Sequence, residues 1–203
     1  SSVVKSLADA AYARVDMVRG LDGKLALIEL SALSERRIYR LTTGALSSRL
    51  PPLLVTDEGS LGRMMHQAAA AALVAANRQM AAPSRADTIP TCEDQEDHVA
   101  MSTTAARRSV DVLRNAQQVV AIELLCAASG LWCRQDRAAA EGRELTLGAG
   151  TAAALRAVEE ALSGRGTGVP SEDIQRVQAI VDDGSLVAAV EAATGPLARV
   201  HHD

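Results

Sequence analysis

The sequence contains no phenylalanine, and aromatic residues of all kinds make up only 1% of its 203 positions. A core of stacked aromatic rings is therefore excluded, and the packing must come from alanine and the aliphatic residues within a hydrophobic fraction of 48%. Alanine has the highest helix propensity of the common residues, and its small side chain lets helices approach closely. The composition therefore favours an all-α fold.

The chain also lacks an excess of basic residues. Its formal net charge is −4 and its isoelectric point is about 5.6. Nucleic acids and anionic membranes recruit proteins through basic surfaces that release counterions, so neither is an expected partner. Small polar substrates and other proteins fit this composition better.

Cysteine is scarce and odd in number, with three residues in the chain. Cys126 and Cys133 are predicted to lie on one helix about 10 Å apart by axial rise, which is too far for a disulfide. We interpret the cysteines as small buried apolar residues. No spacing of Cys, His and carboxylate residues is typical of a metal site, so no metal is expected.

Long hydrophobic runs are missing as well. We find none that reaches the roughly 18 to 20 residues needed for a membrane span, and the segment 1–7 lacks the pattern of a signal peptide. A cytoplasmic location is therefore expected.

Hydrophobic periodicity predicts two helices in the first part of the chain. The first carries core residues at spacings of three and four, namely Leu27, Leu30, Ser34, Ile38 and Leu41. Two prolines at 51 and 52 prevent its continuation. The second has an apolar stripe of small residues, namely Leu61, Met65, Ala68, Ala72 and Ala75. A loop with two prolines follows at 81–93, and loops of this kind often carry function.

The longest predicted helix runs from about Asp97 to Arg134 and would span roughly 55 Å. Its apolar stripe consists of Ala106, Val110, Leu113, Ala116, Val120, Leu124, Ala127 and Leu131. From Val119 to Leu125 the apolar residues nearly surround the helix, which predicts burial on several sides. Because that surface is larger than 203 residues can cover, we expect an obligate oligomer.

Three shorter helices are predicted to begin near Thr151, Ser171 and Ser185. Ser171 is the expected N-cap of the second of these, because acidic residues follow it in the first turn. We divide the chain into a core segment of a long-helix bundle, 1–134, and a C-terminal region of short helices packed on it, 135–203.

Several motifs are more specific than periodicity. SERR at 34–37 is followed by LPPLLV at 50–55, DTIPT at 87–91 leads into QEDHVAMS at 95–102, and ELLCAA and SEDI follow later. In this order and spacing the motifs resemble the aromatic amino acid ammonia-lyases and aminomutases over roughly residues 22–193. The QEDHV form is more similar to the histidine ammonia-lyases than to the phenylalanine or tyrosine lyases. The resemblance implies a long-helix bundle of the fumarase/aspartase-like type that is completed by oligomerisation.

The resemblance also implies an electrophile, because eliminating ammonia requires removal of a weakly acidic proton and expulsion of a poor leaving group. The family uses a 4-methylideneimidazole-5-one (MIO) ring made from an internal Ala-Ser-Gly. The chain has one such triplet, Ala128, Ser129 and Gly130, but it lies inside the predicted long helix and is followed by Leu131, where the family has Asp. We interpret it as a decoy. The MIO ring, the catalytic tyrosines and the carboxylate-binding arginine are expected on a partner chain, and this chain is expected to form no cofactor.

Four positions match or adjoin the family's substrate site. Glu96 falls on the family glutamate that faces the substrate side chain, and a carboxylate suits an imidazole, so we predict Glu96 as the catalytic residue. The alternative is that Glu96 only favours the dipole at the start of the helix. Gln95, Asp94 and His98 are predicted to bind substrate. Asp94 replaces the family Asn and would repel a substrate carboxylate, and a structural hydrogen-bonding role for His98 stays open.

These observations lead to competing hypotheses. The first is the small, C-terminal subunit of a split histidine ammonia-lyase-like enzyme, inactive alone, which forms a hetero-oligomer with a larger N-terminal-half subunit. It would act on an amino acid by ammonia elimination or by an aminomutase-type reaction. The second is a cofactor-less homologue that serves as a non-catalytic or repurposed binding or assembly subunit, which the departures at Cys92, Glu93 and Asp94 favour. A fragment of a full-length lyase is the third.

Overall fold

The structure, a computed structural model, describes residues 21–57, 60–82, 89–93, 95 and 101–197. This part of the chain is helical without a β-strand, which confirms the predicted all-α class. The elements in chain order are α1 (Leu21–Thr42), a short 3-10 helix (Pro52–Leu54), α2 (Met64–Gln79), α3 (Ser102–Ala140), α4 (Ala149–Leu162), α5 (Pro170–Asp182) and α6 (Ser185–Thr194).

The long helix α3 is the centre of the fold. Helices α1, α2 and α5 pack directly against it, while α4 packs mainly on α6 and α5. Every residue from Val119 to Cys126 is buried, as the apolar run predicted. The chain's own helices bury this run, and the short C-terminal helices contribute to that burial. We expected an oligomer because the chain alone looked too short to bury the run, and that reason was wrong.

The predicted face of α1 is confirmed. Leu27 is 1% exposed and Ile38 is fully buried, and Leu30 and Ser34 lie on the same buried face. On α3 the predicted stripe holds only in part, because Val110 is 42% exposed and Val112 takes its place in the core. The face of α3 that contacts α1 is therefore rotated slightly from the stripe that was predicted from apolar spacing.

The C-terminal helices begin close to the predicted positions, at Ala149, Pro170 and Ser185. Two details differ. Helix α3 continues past Arg134 to Ala140, and Ser171 lies inside α5 because Val169 is the N-cap residue and Pro170 the first helical residue. Proline suits that position because its missing N–H would have no partner in the first turn.

Helix α2 buries a different face from the one that its apolar residues suggested. Its buried residues are His66, Ala70, Val74 and Asn77. The predicted row, which we call the outer stripe, consists of Leu61 just before α2 and Met65, Ala68, Ala72 and Ala75 on it, and all five are exposed. Leu61 and Met65 are 58% and 53% exposed. Because alanine occupies several sides of α2, spacing could not identify the side that meets the core.

A polar connection links the three long helices. The Asn77 side-chain amide donates to Ser31 Oγ at 3.2 Å, and the Asn115 amide donates to Asn77 Oδ1 at 2.9 Å. Ser31 and Asn77 are fully buried. Buried polar groups need their partners, so these contacts fix the register of α1, α2 and α3 relative to one another.

Helix α3 contains an 18-residue window apolar enough for a membrane span, with a mean hydropathy of 1.3. Our expectation that no such stretch exists was therefore wrong. However, 72% of this window is buried inside the protein, as in the core helix of a globular domain.

The cysteines also differ from expectation in one case. Cys126 is buried as expected, and burial raises its pKa to about 12, but Cys92 is exposed.

Candidate functional site

The predicted substrate-binding positions precede α3 in the sequence. Among them, Gln95 is exposed and its backbone N–H donates to the Cys92 carbonyl at 3.2 Å. Cys92 and Glu93 both have left-handed backbone angles, with φ of 54° and 56°. Two successive non-glycine residues in this region are uncommon and mark a tight turn. Asp94, Glu96 and His98 lie outside the described residues, so their roles stay predictions.

The Ala-Ser-Gly triplet lies inside α3. Ser129 Oγ donates to the Leu125 carbonyl at 2.9 Å, as helical serines often do, and accepts a hydrogen bond from Arg63 Nε at 2.9 Å. A side chain at Gly130 would lie 3.1 Å from Leu50 Cδ1, so the absence of a side chain lets the LPP segment approach α3 closely. Ser129 and Gly130 thus have structural roles without a ring, and the interpretation of this triplet as a decoy stays a prediction.

A buried carboxylate joins two of the motifs. Glu123 in ELLCAA is 2% exposed, and its Oε2 accepts from Ser34 Oγ at 2.6 Å. Arg37 Nε donates to Oε1 at 2.6 Å and Nη2 donates to Oε2 at 3.0 Å. A bidentate ion pair between Arg37 and Glu123 therefore joins the SERR and ELLCAA segments. Sequence reasoning missed this role, although a glutamate amid the most apolar part of α3 was a visible signal.

A second polar cluster lies between α2, α3 and α5. Arg63 Nη1 lies 3.1 Å from His66 Nε2 and 3.9 Å from Asp173 Oδ2. Asp173 Oδ1 accepts from the Thr167 backbone N–H at 2.8 Å and from its hydroxyl at 2.9 Å. Arg63, His66, Asp173 and Trp132 line a cavity of about 550 Å³. Sequence reasoning did not select them, because the cluster is assembled from segments far apart in the chain.

The tautomer of His66 follows from these contacts. Arginine only donates hydrogen bonds, so His66 Nε2 must accept from Arg63 and the ring proton must lie on Nδ1. Burial lowers the pKa of His66 to about 4, and the charge of Arg63 acts in the same direction while Asp173 opposes it. His66 is therefore neutral at pH 7. Its Nδ1 is buried and has no hydrogen-bond partner within the described residues.

We expect His66 to make the stability of the protein fall in weak acid. Its folded-state pKa of about 4 lies below the ordinary value of 6.5, so between these values the unfolded chain binds a proton that the folded chain does not. The free energy of unfolding therefore drops as the pH falls from about 6.5 to about 4. Denaturant unfolding at about pH 7 and about pH 4.5 should show a loss about 2 kcal/mol larger for the wild type than for His66→Gln. Equal losses in the two proteins would contradict this prediction.

Comparison with known proteins decides the family. The sequence profile described as aromatic amino acid lyase matches residues 21–160, more than half of the chain. The chain belongs to the aromatic amino acid lyase family. The match includes α1, α2, α3 and most of α4, and so contains the whole Ser34, Arg37 and Glu123 network.

Relatives named as histidine ammonia-lyases agree with this assignment to the aromatic amino acid lyases. The histidine ammonia-lyases of Gloeobacter violaceus and Symbiobacterium thermophilum are 42% and 43% identical to this chain over 176 residues, which is 85% of the chain. These residues make up only 32% and 33% of the two relatives. The chain therefore spans about a third of their length.

Solved structures of this family show the same helical arrangement. Histidine ammonia-lyase from Trypanosoma cruzi superimposes with a TM-score of 0.75 at 32% identity, over 85% of this chain and 33% of the other. Tyrosine aminomutase from Streptomyces globisporus gives 0.77 at 30% identity, over 88% and 33%. The bundle type expected from the motifs is thereby confirmed.

Proposed function

We propose that this chain is the small, C-terminal subunit of a split histidine ammonia-lyase-like enzyme. The observation that carries the proposal is the combination of 42% identity to a histidine ammonia-lyase with coverage of only 32% of its length. A larger partner chain would supply the remaining two thirds, including the MIO ring. The complex would act on an amino acid.

The motif at 95–98 supports an imidazole substrate. In this proposal Glu96 contacts the substrate side chain, and Gln95, Asp94 and His98 surround it. A tight turn formed by Cys92 and Glu93 lies next to Gln95, whose backbone N–H donates to the Cys92 carbonyl. Because both a histidine ammonia-lyase and a tyrosine aminomutase share the fold, elimination and amino migration are both within the proposed chemistry.

The surface of the chain supports a protein partner. The outer stripe of α2 presents apolar side chains to solvent, and on α1 Leu25 and Leu33 are 44% and 52% exposed. Contiguous exposed apolar surface on a soluble protein is typical of an interaction site. A partner chain that covers these helices would complete a bundle of which this chain supplies one part.

The geometry of α3 supports the proposal that the ring lies on the partner. Ring formation requires the Gly130 nitrogen to attack the Ala128 carbonyl from a compressed turn. Inside α3 each backbone N–H is directed at the carbonyl four residues earlier, so these residues do not fit the group. When bound in the complex, MIO supplies the electrophile that activates the amino group of the substrate.

A second candidate function is a non-catalytic binding or assembly subunit without the cofactor. It is favoured by Cys92 and Glu93, which replace small residues of the family, and by Asp94, which replaces an amide and adds negative charge beside the substrate position. An anionic substrate carboxylate would be repelled there. In this case the bundle would have been kept for assembly alone.

Native mass spectrometry of the complex purified from its source tests the proposal, with peptide sequencing of any partner. A larger partner with an Ala-Ser-Gly in a glycine-rich loop is the expected result. Homo-oligomers alone would leave no source of the electrophile and would favour the assembly subunit. Joining of the two parts in one reading frame of the gene would instead show that the chain is a fragment of a full-length lyase.

A further inference from the structure

A second cavity, of about 540 Å³, lies between the end of α1, the segment that follows it, the C-terminal half of α3 and the start of α4. Three of its lining residues are arginines, Arg37, Arg40 and Arg134, and among the described residues Glu123 is the one acidic residue that lines it. We call it the arginine cavity.

The charge of the arginine cavity is not balanced. Glu123 neutralises Arg37 through contacts of 2.6 Å and 3.0 Å. Within the described part of the chain, neither Arg40 nor Arg134 has an ion pair or a side-chain hydrogen bond. The lining therefore carries two uncompensated positive charges, although the whole chain has a formal net charge of −4. A concave surface of one sign concentrates ions of the other sign.

Neutral groups around the cavity also favour an anion. Thr151 lines it from the first turn of the 14-residue helix α4, whose N-cap residue Gly148 makes no side-chain capping contact. Unpaired N–H groups and the positive end of the helix dipole lie at such a terminus. The hydroxyl-bearing residues Ser47 and Ser48 line the same cavity. Guanidinium, hydroxyl and helix N-terminus are the groups with which proteins hold carboxylates and phosphates.

The remaining wall of the cavity is apolar. It is formed by Leu41, Leu46, Leu50, Ala127 and Leu131. From Ala127, Leu131 and Thr151 a small cleft continues between α3 and α4. The cleft ends among Ala154, Leu155 and Val158. An occupant that places an anionic group on the arginines would therefore have an apolar surface beside it.

We infer that the arginine cavity binds a small molecule that carries an oxyanion, a carboxylate or a phosphate, on a partly apolar body. Its volume lies within the range of about 300 to 1,000 Å³ that is typical of small-molecule sites. A concave site of this size with a few charged groups suits a small molecule better than an extended protein segment. The inference does not depend on the proposed lyase activity, because the chain alone contains every group that it uses.

Isothermal titration calorimetry of the full chain tests the inference with three probes: phenyl phosphate, benzoate and inorganic phosphate. We expect phenyl phosphate or benzoate to bind more tightly than inorganic phosphate, because only the first two place a ring against the apolar wall. The comparison of the first two distinguishes a phosphate from a carboxylate. Replacing Arg40 or Arg134 with Gln should weaken binding about tenfold for each residue, as expected when a charge-assisted contact is lost.

The matched control is Arg114→Gln/Arg176→Gln, which removes the same charge from exposed positions that do not line the cavity. Its affinity should equal that of the wild type, and thermal unfolding of all variants should be unchanged. The inference is overturned if no probe binds at about 10 mM, if the control weakens binding as much as Arg40→Gln/Arg134→Gln does, or if inorganic phosphate binds as tightly as the aromatic probes. Loss of partner binding in Arg40→Gln/Arg134→Gln, without binding of any probe, would assign the cavity to a protein segment instead.

Discussion

Glu123→Ala is expected to lower the free energy of unfolding by about 3 to 5 kcal/mol, which is the cost of removing one member of a buried ion pair. The substitution would leave Ser34 without its acceptor and the Arg37 guanidinium without its counter-charge. Arg37 retains 30% exposure of its side chain, so water can solvate it in part and the lower end of the range is the better expectation. Chemical denaturation followed by circular dichroism measures the loss.

Two further variants separate the ion pair from a general effect of substitution. Glu160→Ala removes a carboxylate from an exposed position on α4 and should change the free energy of unfolding by less than about 0.5 kcal/mol. Combining Glu123→Leu with Arg37→Met should recover much of the loss, because an apolar pair of similar volume leaves no buried charge. If Glu123→Ala unfolded like Glu160→Ala, the network would not contribute to the folded state.

Glu96→Gln is expected to lower kcat of the assembled lyase by about 100-fold, because the neutral amide cannot supply the charged contact with the substrate imidazole that is proposed to strengthen in the transition state. This expectation rests on the proposed function and requires the complex with its larger partner. Steady-state kinetics with histidine as substrate measures it. A change in KM alone would mean that Glu96 binds the substrate side chain without acting in the chemical step.

Glu93→Gln is the matched control for this experiment, because it removes the same charge from an exposed residue three positions earlier in the chain. We expect its kcat to stay within about threefold of the wild type, since a solvated charge contributes little at a distance. Equal losses in the two variants would assign the effect to the charge of this segment and would contradict the role of Glu96.

Periodicity predicted the parts of the fold in which one face of a helix is clearly more apolar than the others. The spacing of Leu27 and Ile38 identified the buried face of α1, and the dense apolar run identified the centre of α3. It did not identify the buried face of α2, where alanines occur on several sides and His66 lies in the core. The polar residues after Arg134 led us to predict the end of α3 too early. The alanines at 138–140 continue the helix, and Gly142 then adopts a left-handed conformation.

The candidate functional positions were predicted from sequence motifs and not from hydrophobic periodicity. Motif order led to the family, and the comparisons confirm that assignment. Periodicity could not show that Arg37 meets Glu123 or that Arg63 meets Asp173, because contacts between distant segments depend on how the helices cross. For the same reason neither cavity was predicted, because each is lined by residues from several segments that lie far apart in the sequence.

In a copy of this chain without a partner, the outer stripe of α2 is exposed to solvent. Chaperones and proteases that recognise exposed apolar segments could then bind it. Leu61 and Met65 are the side chains with which such factors would engage first, since both are more than half exposed. Small changes in the occupancy of vulnerable states change the abundance of a protein several-fold. The amount of this chain in a cell would then be set by the supply of whatever covers α2, so that degradation of the surplus keeps the two in proportion.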